Sequence, residues 1–420
     1  MLKVSFIEKN KKIIIIGLIK RNFYKLYLIN YILFLYKKKK KIKSKLDNLI
    51  YYIKFFSKKI KTNEELIRNY SSFLKEKLKI NIFFIKKIKN KIFEIIIKIP
   101  NLPFEEVQKE KEVQKEKNFF YKEILYKREI INNYKKKIYH WELGEKFKLF
   151  STKKGAIISG NGFNVFFNKG ALLQRSLIQF FLEKNISSGY IEYVLPYIVN
   201  INSVYGTGQI PDKKYQMYNI NYDNLYLIPT GEVPLINIFK KTIFKESELP
   251  VKATTYTSCF RRESGSYGSK VRGLNRLHQF DKVEIIQIST CKDSYLSFND
   301  MVNHIKSLLR SLNLPFRIIR LCGKDLGFTS ALTYDFEVYS PGQKKWLEVS
   351  SVSNCTNFQS NRLQLRYRTF DGKIKLCHTL NGSSLAIPRI ISAILENNQY
   401  KNYIIIPKVL IKYMKIDKIF

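Results

Sequence analysis

Cys259-Phe-Arg-Arg-Glu-Ser-Gly-Ser-Tyr-Gly-Ser-Lys-Val-Arg-Gly-Leu-Asn-Arg-Leu-His-Gln-Phe-Asp-Lys-Val-Glu284 sets two apolar, β-prone runs, Tyr256–Phe260 and Phe280–Ile286, around a long loop rich in Gly, Ser and Arg. This layout predicts two antiparallel strands with a basic loop between them. Guanidinium forks match phosphate oxygens, and carboxylates match ammonium groups. Arg261, Arg262, Arg272 and Arg276, with Glu263 and Glu284 among them, therefore point to a ligand carrying phosphates at one end and an ammonium at the other. A purely structural hairpin gains nothing from four arginines in so few residues.

Outward from this stretch, three further clusters share its chemistry. Thr230-Gly-Glu232 follows a strand-like run, Leu225–Ile228, and offers a hydroxyl and a carboxylate to a small ammonium. Glu348-Val-Ser-Ser351 follows Trp346 in another β-prone run and offers hard oxygen ligands of the kind Mg²⁺ takes. His378-Thr-Leu-Asn-Gly-Ser383 leads through Ala386 and Pro388 to Arg389, with Pro388 suited to the first turn of a helix. Taken singly, each glutamate fits an ordinary surface residue or cap as well. Together the clusters supply what is needed to hold an amino acid, a triphosphate and a metal.

The surrounding chain, from about His140 on, consists of short β-prone runs, turn residues and isolated helices. Ala171–Asn185 reads as a helix leading into a strand, Tyr190–Val199, broken by Pro196. Lys292–Leu312 reads as a helix with Met301, Ile305, Leu308 and Leu309 on one side, and a last helix follows Pro388. Antiparallel strands with helices packed against them make an α+β domain.

Residues 1–100 differ in kind. They hold no Pro before Pro100, a single Gly, and 27 Lys and Arg against 6 acidic residues, which is half of the net charge. Ile42, Leu46, Leu49, Ile53, Phe56 and Ile60 alternate spacings of four and three, the seam of a coiled coil. After a polar break at Lys61-Thr62-Asn63, Ile67, Tyr70 and Leu74 resume it. Ile85, Ile88, Ile92 and Ile95 carry it on, with Lys77 and Asn81 read as an interruption. Two such helices predict an antiparallel hairpin, the second roughly 50 Å long. Its lysines suit either a nucleic-acid backbone or plain solvation. Ile99-Pro-Asn-Leu-Pro103 ends the helix, and Gln108–Lys117 repeats Val-Gln-Lys-Glu-Lys in a charged linker.

At 420 residues, two or three domains are expected. The net charge of +41 favours an acidic partner, while the abundance of Lys, Ile, Asn, Phe and Tyr fits codon drift toward A and T equally well. Five cysteines without Cys-x-x-Cys spacing predict reduced thiols in a cytoplasmic protein. The apolar runs Ile13–Ile19 and Phe23–Tyr36 fall short of a membrane span.

The chain resembles bacterial-type seryl-tRNA synthetase, a class II aminoacyl-tRNA synthetase. The likeness rests on Ile99–Pro103, His140-Trp-Glu-Leu-Gly-Glu145, Tyr205-Gly-Thr-Gly-Gln-Ile-Pro211, Ile228-Pro-Thr-Gly-Glu-Val-Pro-Leu235, Phe260–Glu284, Glu348–Ser351 and His378–Arg389. It implies a class II antiparallel sheet flanked by helices, preceded by an antiparallel coiled-coil arm. The expected division is an arm over 1–103, a linker over 104–139 and a catalytic domain over 140–420. The implied activity is ATP-dependent attachment of L-serine to tRNA(Ser), with tRNA(Sec) a further acceptor, by a homodimer using ATP and Mg²⁺.

The resemblance also implies roles, position by position. The helix before Pro196, with Pro196 itself, matches the segment that forms the dimer interface. Arg261 would meet the α-phosphate, Glu263 the adenine amino group, Arg389 the γ-phosphate, and Phe280 would stack on adenine. Arg262, Val349 and Ser350 belong to the same ATP site. Thr230, Gly231, Glu232, Glu284, Asn381 and Ser383 would surround serine, and Glu348 with Ser351 would hold Mg²⁺. His278 is read as structural rather than as a base.

This sequence departs from the family pattern at three places. Gly231 stands where alanine is usual and is expected to loosen the pocket, Arg262 where serine is frequent, and the arm tip near Ser57–Asn63 is short. Two rival readings share parts of this pattern. A ligase charging a carrier protein would lack the basic arm, and a dead paralogue would lack motif arginines or glutamates; this chain has both.

Overall fold

The computed structural model describes residues 1–59, 65–108, 122–127, 137–212, 215–264 and 272–420. They form two compact units, Met1–Leu102 and Pro103–Phe420.

The first unit is all helical: α1 (Val4–Lys9), α2 (Lys11–Lys20), α3 (Tyr27–Lys59) and α4 (Glu65–Ile96). α3 and α4 pack along each other as the two legs of a hairpin. On α3, Ile42, Leu46, Leu49, Ile53 and Phe56 are all half-buried, as their spacing requires, and Ile50 beside the seam is half-buried too. Ile60 lies outside the described residues. On α4 Ser71, Leu74, Leu78, Asn81, Ile85, Ile88, Ile92 and Ile95 are covered, an unbroken alternation of three and four, with Ile96 buried beside the last of them. The expected interruption is therefore absent. Leu78 continues the seam, and Asn81 itself occupies it, donating from Nδ2 to the Lys77 carbonyl at 3.0 Å. Tyr70, expected in the seam, lies at its edge, 49% exposed with its ring edge-on to Phe56 at 5.2 Å, and Ser71 takes the buried position. At the far end, Ile7, Ile14 and Leu18 of α1 and α2 join Ile29, Ile32, Ile92 and Ile96 in one core.

The second unit is α+β. Its main sheet has eight strands: β1 (Lys122–Lys127), β2 (Ile191–Glu192), β3 (Val251–Phe260), β4 (Gln279–Ser289), β5 (Phe316–Leu321), β6 (Leu332–Ser340), β7 (Lys345–Asn354) and β8 (His378–Ala386), in spatial order β1-β5-β6-β7-β8-β4-β3-β2. All pairs are antiparallel except β2 with β3. β1 falls within the stretch read as a linker, and Val107 from the same stretch is fully buried, so part of it belongs to this unit's architecture. Most of the Gln108–Lys117 repeat lies outside the described residues.

Helices α5 (His140–Lys146), α6 (Asn168–Ser187), α7 (Ser294–Ser311) and α8 (Ile387–Asn397) supply apolar faces to the core. Met301, Ile305, Leu308 and Leu309 of α7 are all buried there, with Phe180, Phe316 and Phe336. A further helix, α9 (Lys408–Met414), follows the one expected to be last. All five cysteines are free thiols. Among the described residues, no helix is long and apolar enough to cross a membrane.

Candidate functional site

The site is laid out by the pleat of β4. Successive side chains alternate faces, so Phe280, Lys282 and Glu284 share one. Register places Cys259, Thr257 and Thr255 of β3 opposite these three, and Ser383 of β8 opposite Glu284. The register of β4 with β8 shifts between Lys282 and Glu284, a bulge of the kind that re-aims side chains. A second irregularity falls between β6 and β7, where Phe336 faces Ser350 and Glu337 faces Glu348, with Val349 between.

An open cleft of about 530 Å³ lies over this face, lined by Arg261, Glu263, Phe280, Glu348, Val349, Ser350, Ser383 and Arg389 among the expected residues. The Arg261 Nε donates to the Pro229 carbonyl at 3.0 Å, and its guanidinium stands 5.1 Å from the Phe280 ring centre. Glu263 pairs with Arg276 at 2.7 Å. Arg389 lies in the first turn of α8 behind Pro388, with its Nη1 donating to the Glu348 carbonyl at 2.6 Å. Its Nε donates to the Asn275 carbonyl at 3.3 Å.

Buried Thr230, Glu232 and Glu284 form a polar set with half-buried Asn381 beside the cleft. Thr230 donates to Glu284 Oε2 at 3.0 Å, and Lys282 donates to Thr230 Oγ1 at 2.8 Å while pairing with the same Glu284 oxygen. Among the described residues no cation pairs directly with Glu232, although the charge of Lys282 reaches it. Gln359 and Asn381 donate to its Oε1 at 2.6 and 2.8 Å. Burial pushes the Glu232 carboxyl up to about 7, and the charge of Glu284 adds to the rise against the hydrogen bonds from Gln359 and Asn381.

Two expected members stand apart. Arg262 is absent from the cleft lining: its Nε donates to the Met217 carbonyl at 3.2 Å and its guanidinium covers the Tyr218 ring. Ser351 is likewise outside the lining, with its hydroxyl on the Asp335 carboxylate. His278 bonds the Tyr218 hydroxyl at 2.5 Å and stacks on Phe163, a structural post. Gly231 does not loosen the pocket. A Cβ there would meet Thr255 Cγ2 and Thr257 Oγ1 at 3.0 Å, so the threonines already fill the space a methyl would use.

Lys282 and Gln359 were not anticipated. A lysine alternating with hydrophobic residues reads as a solvent-facing position, and Gln359 lies in a short helix, Phe358–Leu363, without a motif. Behind the cleft a buried brace also escaped notice. His140 Nε2 accepts from the Leu274 N–H at 3.0 Å, so its Nδ1 donates to Glu396 at 2.7 Å. Burial raises the Glu396 carboxyl, but hydrogen bonds from His140 and Ser340 outweigh it and leave the group below its ordinary range. Leu274 and Asn275 line the cleft, so this brace sets the wall that Arg389 leans on.

Among the described residues, no three His, Cys, Asp or Glu groups converge as a self-sufficient metal site. Glu348 offers one half-exposed carboxylate at the cleft, beside Arg389. That suits Mg²⁺, which keeps waters and takes one or two carboxylates plus substrate phosphates, and does not suit an ion held by protein alone.

Comparison with known proteins agrees with this geometry. Residues 215–398 match the tRNA synthetase class II core domain (G, H, P, S and T). The serine–tRNA ligase of Methylacidiphilum infernorum is 51% identical over 66% of this chain and 66% of its own length. That of Elusimicrobium minutum is 40% identical over 79% of this chain and 78% of its own. The matches to the first relatives span slightly less than two thirds of those proteins. A crystal structure of seryl-tRNA synthetase from Pyrococcus horikoshii complexed with ATP superposes with a TM-score of 0.92, 28% identity, and coverage of 100% of this chain and 99% of that one. With its antiparallel sheet, flanking helices and paired-helix arm, the chain belongs to the serine–tRNA ligase family of class II tRNA synthetases.

Proposed function

We propose that the protein attaches L-serine to tRNA(Ser), with tRNA(Sec) as a second acceptor, through a seryl-adenylate. The observation that carries this reading is the convergence of Arg261, Phe280, Glu348, Ser383 and Arg389 on one cleft, beside the polar set of Thr230, Glu232, Glu284 and Asn381. ATP enters the cleft, with Arg261 on the α-phosphate, Arg389 and the start of α8 on the γ-phosphate, and adenine against Phe280 and Glu263. The Arg261 guanidinium now over Phe280 then moves toward phosphate. Thr230 and Glu284 take the serine ammonium, and Glu232 with Asn381 and Ser383 takes its hydroxyl.

A serine carboxylate oxygen attacks the α-phosphorus and pyrophosphate leaves. The carboxylate is ionised at neutral pH, so this step needs no general base. What the protein supplies is alignment and positive charge around the phosphoryl oxygens. Mg²⁺, held by Glu348 and a Ser351 hydroxyl turned from Asp335, would neutralise phosphate charge. A terminal ribose hydroxyl of the tRNA then attacks the activated carbonyl and releases AMP.

The basic α3–α4 arm suits the shape and phosphates of tRNA, and binding of that kind weakens with salt. Val194, Ile191, Ile198 and Ile201 are exposed apolar residues around Pro196, Val194 by 93%, which supports a face covered in a homodimer. The cytoplasm is the compartment proposed for the protein, in keeping with five free thiols. We take the arm as 1–103 and the catalytic domain as 140–420, with the connecting stretch 104–139 lending Val107 and β1 to the sheet unit.

Serine-stimulated exchange of pyrophosphate into ATP, followed by transfer of serine to tRNA(Ser), tests the reading. Glu284→Ala should abolish the serine stimulation while ATP still binds. Unchanged exchange in that variant overturns the assignment.

A further inference from the structure

The Lys282 ammonium stands where the substrate's own ammonium is expected. Its residue is 6% exposed, its Nζ bonds Thr230 Oγ1, and it pairs with the Glu284 oxygen that Thr230 also bonds. Yet Lys282 also lines the cleft, alongside Arg261, Phe280 and Ser383. Its position is therefore a junction between the phosphate-facing surface and the buried polar set.

Two ammonium groups cannot share this point comfortably. In a site of low effective dielectric their repulsion is several-fold stronger than in water, and one carboxylate oxygen cannot satisfy both. An arriving amino acid brings its ammonium and, two bonds away, a carboxylate. Lysine carries its charge on a flexible four-carbon stem with rotatable donors, so it is the partner able to move. Resting on the serine site proposed above, we infer that Lys282 is a positioning residue that changes partners: it holds Thr230 and Glu284 in place while the site is free, yields them to the substrate ammonium, and swings onto the substrate carboxylate. The same movement keeps a cation beside the oxygen that attacks phosphorus. It also makes the ligand's carboxylate a condition for entry, because only that group compensates Lys282 for the lost glutamate.

The test is a crossover between two ligands, L-serine and ethanolamine, the latter being serine without its carboxylate. Both are titrated calorimetrically into the full chain. For wild type, L-serine should bind well and ethanolamine weakly. Lys282→Met should weaken L-serine by about tenfold or more, since a charge-assisted contact is lost. The same change should tighten ethanolamine several-fold, because its ammonium no longer competes with a resident one. Should Lys282→Met fail to give a cooperative thermal unfolding transition, Lys282→Gln carries the same expectation and retains a donor for Thr230.

Parallel weakening of both ligands would mean that Lys282 only props up the pocket, and overturns the inference. So does an unchanged L-serine affinity, or no gain for ethanolamine, while wild type binds L-serine. Wild type that binds no L-serine overturns the proposed function together with the inference.

Discussion

The arm and the sheet domain use charge in opposite ways. On α3 and α4, lysines lie outside an apolar seam, and the ion pairs there, such as Lys91 with Glu94, are exposed. In the sheet domain the pairs that matter are buried, with Lys282 on Glu284 and Arg317 on Glu337. Exposed pairs contribute little to stability, whereas removing one partner of a buried pair strands a charge. The arm's charge is thus free to serve a partner, and the sheet domain's charge is committed to a geometry.

The sharpest test of this contrast is Arg389→Ala, which removes a cation from the cleft. It should lower kcat/KM for serine-dependent exchange by on the order of 10²- to 10³-fold, while circular dichroism of the arm helices stays unchanged. A loss of helix signal would mean that the two units do not divide labour as described.

Glu232 gives a pH signature that the arm lacks. Its carboxyl is raised to about 7 in the folded state, above its unfolded value, so the folded chain holds that proton more tightly. Stability from this group is therefore present at low pH and lost as pH rises from about 4.5 through 7, by on the order of 3 kcal/mol. Glu232→Gln should flatten that slope and raise Tm at pH 8 relative to wild type. An unchanged pH dependence would break the assignment.

Within the arm, Ile88→Ala should cost about 2 to 4 kcal/mol of stability, since a buried isoleucine is truncated. Pyrophosphate exchange should be unaffected, whereas tRNA charging should fall. Asn81→Leu is the smallest effect: it should stabilise the hairpin by about 1 kcal/mol while loosening its register, read as a broadened unfolding transition.

The same contrast governs what the sequence discloses. A seam repeats, so five positions on α3 were legible from spacing alone. The misreading on α4 arose from preferring an apolar Tyr70 to the polar Ser71 that the three-four phase demands. In the sheet domain, glutamates and arginines at the ends of β-prone runs were legible as ligand groups, and most converge on the cleft. Arg262 lies away from the cleft because adjacent residues at a strand end point different ways, one onto Phe280 and the other onto Tyr218. Lys282 was overlooked because only strand register reveals that Thr257 and Ala386 flank it. Gln359 lies 127 residues from the carboxylate it holds, a distance no local pattern spans.

The tight fit around Gly231 constrains the order in which this pocket can evolve. An alanine introduced first would press its methyl against both neighbouring threonine side chains, whereas trimming Thr255 or Thr257 first would open room for it. The two histories reach the same sequence, but the second meets less crowding on the way, so glycine here is favoured for as long as both threonines stand beside it.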